Sequence, residues 1–141
     1  MIYLPDVNFW LALAFQSHVH HARASAWFDA LSQDSCGFCR ITQQGFLRLA
    51  TNPKAFQEEA VTLARAWQLY DVLLTDYRVS FVPEPPEIES LWRDYTKQQT
   101  FSPKVWNDAY LAAYAHAARC TLVTFDKAFA QYARLNFRVP D

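Results

Sequence analysis

The chain has 141 residues, the size of one ordinary domain, and 52% of them are apolar and 16% aromatic, enough to bury a core without staples. Its net charge of −1 excludes a protein that holds nucleic acid through a broadly basic surface. Its two glycines, Gly37 and Gly45, exclude a glycine-rich phosphate loop.

Three cysteines, Cys36, Cys39 and Cys120, provide no second pair for a zinc site. An odd count, and a start without a basic, apolar leader, point to a reducing cytosol. No run reaches the ~18 apolar residues of a membrane span. A soluble, cytoplasmic protein is the expectation. Without repeats or long linkers, residues 1–141 are read as one domain; the proline-rich stretch at 82–86 is too short to divide it.

In chain order, Ile2–Leu4 predicts a first strand and Asp6–Phe15 a helix, followed by a polar break at His18–His21. A helix is expected over Ala22–Leu31, a second strand over Gly37–Arg40, and a helix from Thr42, as its cap, to Ala50. Asn52-Pro53 stops it. A long helix over Glu58–Tyr77, a third strand over Val79–Val82 and a helix over Glu87–Gln98 follow. Ser102-Pro103, as cap and first residue, opens a helix that runs to about Arg119. The chain ends in a fourth strand, Thr121–Phe125, a short helix, Lys127–Ala133, and an edge strand, Phe137–Val139. Strand–helix alternation of this kind predicts an α/β fold with a parallel sheet covered on both faces. In such sheets, ligands bind beyond the carboxyl ends of the strands.

Asp6 and Asp126 follow strands one and four at that edge. Asp108 lies early in the helix before strand four. A crossover helix runs antiparallel to its strands, so Asp108 belongs at the same edge. It also falls on the small, apolar face formed with Val105, Ala109, Ala112, Ala113 and His116. Each aspartate alone is also a good helix cap or dipole partner. All three at one edge form a more specific pattern. Converging carboxylates repel one another, and a hard divalent cation such as Mg²⁺ or Mn²⁺ relieves that repulsion.

The segments Asp6-Val7-Asn8, Asn107-Asp108-Ala109-Tyr110-Leu111-Ala112-Ala113 and Leu122-Val123-Thr124-Phe125-Asp126-Lys127-Ala128-Phe129 resemble, in order and spacing, the PIN-domain ribonucleases. Within that family the chain resembles the VapC toxins of bacterial toxin–antitoxin pairs. The resemblance spans nearly the whole chain. It implies a PIN-like α/β/α sandwich with a central parallel sheet of four to five strands. It also implies a Mg²⁺- or Mn²⁺-dependent endoribonuclease, cutting tRNA or other structured RNA to leave a 5′-phosphate and a 3′-hydroxyl. A homodimer and inhibition by a small VapB-like antitoxin are implied as well. Carried over by position, Asp6, Asp108 and Asp126 would hold metal, and Asn8 and Thr124 would support the carboxylates. The family's fourth acidic position falls in Ile41–Arg48, at Gln43, which is neutral and cannot act as a base. One negative charge fewer weakens the case for a second ion. Lys104 and Arg48 are candidate contacts to RNA phosphate.

Other features read as bland. His18, His20 and His21 crowd a turn without the i, i+4 spacing of metal histidines, and a solvated loop is expected. Cys36 and Cys39 are placed in or beside a strand, away from the helix N-terminus a thioredoxin-like pair needs. The surplus tryptophans are core residues or part of a partner face. A phosphotransferase of the haloacid dehalogenase type would need a second acid at position 8, where Asn8 stands. A PIN fold weakened by Gln43, binding RNA or a partner without cutting, is the remaining alternative.

Overall fold

In the computed structural model, which describes residues 2–141, the chain runs β1 (Ile2–Pro5), α1 (Val7–Ala14), α2 (His21–Asp29), β2 (Ser35–Phe38), α3 (Arg40–Ala50) and α4 (Pro53–Phe56). After a 3₁₀ turn at Gln57–Glu59 come α5 (Leu63–Thr75), β3 (Val79–Phe81), α6 (Ile88–Tyr95), α7 (Lys104–Ala117) and β4 (Thr121–Val123). A 3₁₀ turn at Lys127–Gln131 precedes β5 (Phe137–Arg138). All strand pairings are parallel, in the order β3-β2-β1-β4-β5, so the expected α/β/α sandwich is the observed fold.

Successive strand residues face opposite sides, and this splits the core in two. Tyr3, Phe38 and Val123 pack with Phe9, Trp10 and Phe46 from α1 and α3 on one face. Leu4 and Leu122 pack with Ile88, Leu111 and Tyr114 from α6 and α7 on the other. The Trp10 ring stacks on Phe38 at 4.0 Å. Burying one such side chain is worth about 1.5–3 kcal/mol, so these layers supply most of the driving force. Strands covered on both faces need no polar alternation, which explains the nearly unbroken apolar runs of β1 and β4.

The chain builds β2 and β3 on one side of β1, then returns to add β4 and β5 on the other. Strand order reverses between β1 and β4, and a crevice opens at their carboxyl ends at such a point.

The structure moves several expected boundaries. β2 starts two residues early and ends at Phe38, because α3 starts at Arg40. Its cap is Cys39, not Thr42. Thr42 stands in the first turn, and its hydroxyl accepts the Cys39 N–H at 3.0 Å. The long helix expected from Glu58 begins only at Leu63, capped by Thr62, whose hydroxyl accepts the Arg65 N–H. Thr62 offers a cap, which Glu58 does not. In α7 the capping position belongs to Pro103 rather than Ser102. The expected helix after Asp126 is a 3₁₀ turn that stops at Gln131.

Candidate active site

Asp6 is the residue where β1 becomes α1. Its backbone N–H extends the sheet by donating to the Val123 carbonyl at 2.9 Å, which fixes it beside β4. Its Oδ1 accepts the Phe9 N–H at 2.9 Å and so caps α1. Its Oδ2 accepts the Thr124 hydroxyl at 2.5 Å. Thr124 is fully buried, and its oxygen in turn accepts the Asp126 N–H at 2.9 Å. One threonine thus links the aspartates that follow β1 and β4. Asp126 Oδ1 caps the next turn by accepting the Ala128 N–H. The caps weighed as alternatives for Asp6 and Asp126 are therefore present. A carboxylate oxygen has more than one lone pair, so capping leaves acceptor capacity on each.

Asp6, Asp108 and Asp126 all line one cavity of about 950 Å³ at the carboxyl edge. Burial pushes the Asp6 carboxyl up to about 6, against hydrogen bonds from Thr124 and Phe9 and with added repulsion from Asp126 and Asp108. Asp108 is also raised, by burial first; Lys104 opposes the shift and Asp126 adds to it. Lys104 Nζ lies 3.6 Å from Asp126 Oδ2, a cation already drawn to the acidic edge. The donor chemistry, three hard oxygen ligands in partial burial with mutual repulsion, fits a hard divalent ion. Among the described residues no three His, Cys, Asp or Glu side chains form a ready-made metal cage.

Other expected site residues fall in different places. Arg48 lines the cavity, on the α3 face that also carries Ile41, Gln44 and Gly45. Gln43 does not. It lies one helical step off that face, and its Oε1 accepts from Arg40 Nη1 at 2.5 Å. With α3 starting three residues earlier than expected, Gln43 falls outside the cavity lining, between Thr42 and Gln44, which both line it. No residue from Arg40 to Thr51 is acidic, so α3 supplies no fourth carboxylate. Asn8 lines the cavity, but its Oδ1 pairs with His18 Nε2 at 2.9 Å rather than supporting a carboxylate. The histidine loop is therefore not simply solvated.

Sequence reasoning missed Tyr132. Its buried hydroxyl has no hydrogen-bond partner among the described residues. Burial, then the charges of Asp108 and Asp126, push it up to about 12. Its place on a loop after a 3₁₀ turn left no periodicity to reveal it. Cys36 lies in β2 and Cys39 directly beside it, as expected, but Cys39 also caps α3, so it does stand at a helix N-terminus. Burial nevertheless raises both thiols, Cys36 to about 12, so neither is a poised thiolate.

Residues 3–135 match the PIN domain family. Ribonuclease VapC41 of Mycobacterium tuberculosis is 43% identical, over 96% of this chain and 97% of its own. Ribonuclease VapC38 of the same species is 32% identical, over 97% and 94%. In structure, the chain resembles VapBC2 from Rickettsia felis bound to a promoter DNA fragment, with TM-score 0.74, 16% identity and full coverage of both chains. It also resembles Mycobacterium tuberculosis VapC20, a sarcin-ricin loop cleaving toxin, with TM-score 0.63, 13% identity and coverage of 96% and 98%. Matched along nearly its whole length by both the domain family and its ribonuclease relatives, the chain belongs to the PIN-domain family, alongside the VapC proteins.

Proposed function

We propose that the protein is a VapC-type toxin: an endoribonuclease that hydrolyses phosphodiester bonds with one Mg²⁺ or Mn²⁺ and is held in check by a small VapB-like antitoxin. The observation that carries this reading is the lining of one edge cavity by Asp6, Asp108 and Asp126. Those three side chains would hold the ion. When bound, it supplies charge neutralisation at the scissile phosphate and a more acidic water. The chain's own residues do the rest. Thr124 and the start of α1 fix the orientation of Asp6 before substrate arrives. Such preorganisation avoids a rearrangement cost during the reaction. Arg48 on the cavity wall and Lys104 at its rim are placed to meet RNA phosphates.

The cavity has an apolar arm formed by Leu47, Leu63 and Trp67. Leu63 and Trp67 are 74% and 50% exposed, more than large apolar side chains on a finished surface usually are. An antitoxin segment laid along this arm would cover it and block the acids. The resemblance supports a homodimer, and no helix among the described residues is long and apolar enough to cross a membrane. The cytoplasm is the proposed site of action.

The test is cleavage of bulk tRNA by purified, antitoxin-free protein with Mg²⁺ or Mn²⁺, with Asp108→Asn as control. Divalent-dependent cleavage lost in the variant supports the reading. RNA binding without cleavage under every divalent tried would favour a non-cutting module instead.

A further inference from the structure

Asn8 stands where two cavities meet. It lines the acidic cavity with Asp6 and Asp108, and also a smaller one with Ser17 and His18 from the loop between α1 and α2. His18 Nε2 lies 2.9 Å from Asn8 Oδ1. The other ring nitrogen, Nδ1, accepts the backbone N–H of His20 at 3.0 Å. A nitrogen that accepts a hydrogen bond carries no proton, and a neutral imidazole has one proton to place. That proton is therefore on Nε2, and Nε2–H donates to the Asn8 carbonyl oxygen. Burial, then the neighbouring His20 and His21, lower the His18 pKa, which favours the neutral ring.

An amide offers one acceptor oxygen and two N–H donors. With Oδ1 engaged by His18, the two Nδ2 donors are what the amide has left to offer the acidic cavity that Asn8 also lines. The loop that does this is tied down. The His18 N–H donates to the Phe15 carbonyl, and the His21 N–H to the His18 carbonyl. His21 Nδ1 lies 2.7 Å from the Ala12 carbonyl. The His20 ring stacks at 4.3 Å on Phe125, the residue before Asp126. The guanidinium of Arg23 lies 5.1 Å from the centre of the same ring. The loop is thus joined both to α1 and to the segment after β4.

We propose that His18 is a positioning residue that locks Asn8 as a hydrogen-bond donor, and that Asn8 Nδ2 holds a non-bridging phosphate oxygen of the RNA beside the carboxylates. This rests on the ribonuclease reading. It gives Asn8 a substrate-binding task in place of carboxylate support.

Four variants test it: Asn8→Ala, His18→Ala, His18→Gln, and the double variant N8A/H18A. Each is compared with wild type for KM and kcat on a short fluorescent single-stranded RNA, for affinity toward that RNA in chelator, and for Mn²⁺ affinity. Loss of one hydrogen bond to a charged oxygen predicts a rise of about tenfold in KM and in the chelator dissociation constant for N8A and H18A. The proposal further expects kcat and Mn²⁺ affinity to change little. In H18Q the amide nitrogen takes the place of Nε2, and RNA affinity returns toward wild type. The double variant is no worse than N8A, because His18 acts through Asn8. Additive losses, an unchanged RNA affinity in H18A, or a lowered Mn²⁺ affinity in N8A would overturn the proposal. Nitrogen-15 NMR of the ring gives a readout independent of activity: the Nε2–H tautomer is expected, and Nδ1–H would overturn it. A wild type that binds RNA in chelator but cuts with no divalent ion refutes the ribonuclease reading, and the chelator affinities then still decide the role of His18.

Discussion

Without a cation, the carboxylate of Asp6 is costly. Its folded-state pKa of about 6 lies above the ordinary 3.8, mainly through burial. The folded chain therefore holds that proton more tightly than the unfolded one. The resulting stability is full below pH ~4 and is lost as pH rises through ~6, a swing of about 3 kcal/mol at most. Asp6→Asn keeps the shape and the cap while removing the charge. In chelator at pH 8 it should be more stable than wild type by about 1–3 kcal/mol, and near pH 4 the two should melt together. Thermal melts across that range check this, and a variant that is less stable at pH 8 would mean that Asp6 is chiefly a structural cap. Gln43 carries the opposite expectation. Its oxygen already accepts from Arg40, so Gln43→Glu should strengthen that contact and leave Mn²⁺ affinity unchanged, as read by calorimetry. Tighter metal binding would put Gln43 back at the site. The three aspartates were legible because each follows a strand or starts a helix. Gln43 stands outside the cavity lining because α3 starts three residues earlier than expected, capped by Cys39 between β2 and α3, a residue that is a poor cap by propensity.

At the scale of elements, the site depends on how closely α3 lies against the start of α1. Gly45 permits this approach: a Cβ there would come within 2.5 Å of Val7 Cγ2. Alanine is the better helix former by about 1 kcal/mol. Overpacking costs about 1–3 kcal/mol, so Gly45→Ala should still lose up to about 2 kcal/mol and shift Val7 beside Asp6. Urea unfolding measures the loss, and a stabilised variant would show that α3 has room to spare. Arg78 plays a comparable part below β3. It pairs with Asp76 at 2.8 Å, donates to the Phe28 and Leu31 carbonyls at the end of α2, and lies 4.1 Å over the Phe28 ring. Arg78→Ala should cost about 2–3 kcal/mol by thermal or urea unfolding, since it removes the charged partner of Asp76, which keeps only the backbone N–H of residue 78, and leaves the Leu31 carbonyl without its donor. Strand positions were readable from β-branched and apolar runs. The starts of α3, α5 and α7 were not, because Cys39 and Pro103 are not capping residues by propensity and Thr62 competes with the equally plausible start at Glu58.

For the molecule as a whole, topology explains why residues about a hundred positions apart share one cavity. β1 at the centre, with β2 and β4 on either side, brings the residues after β1 and β4 together. α7, antiparallel to them, delivers Asp108 by its first turns. The alternation of strands and helices already implied this arrangement. What it did not imply was the histidine loop's link to Asn8, since a hydrogen bond across ten residues leaves no periodic trace. On the proposed reading, Asp6, Asp108 and Asp126 hold one cation between them. Calorimetric titration of Mn²⁺ into wild type, Asp6→Asn, Asp108→Asn and Asp126→Asn at neutral pH tests it most directly. One ion per wild-type chain is expected, with an affinity at least roughly tenfold weaker in each variant, the loss of one charged oxygen ligand from a shared site. Wild-type affinity retained in any one of the three variants would contradict it.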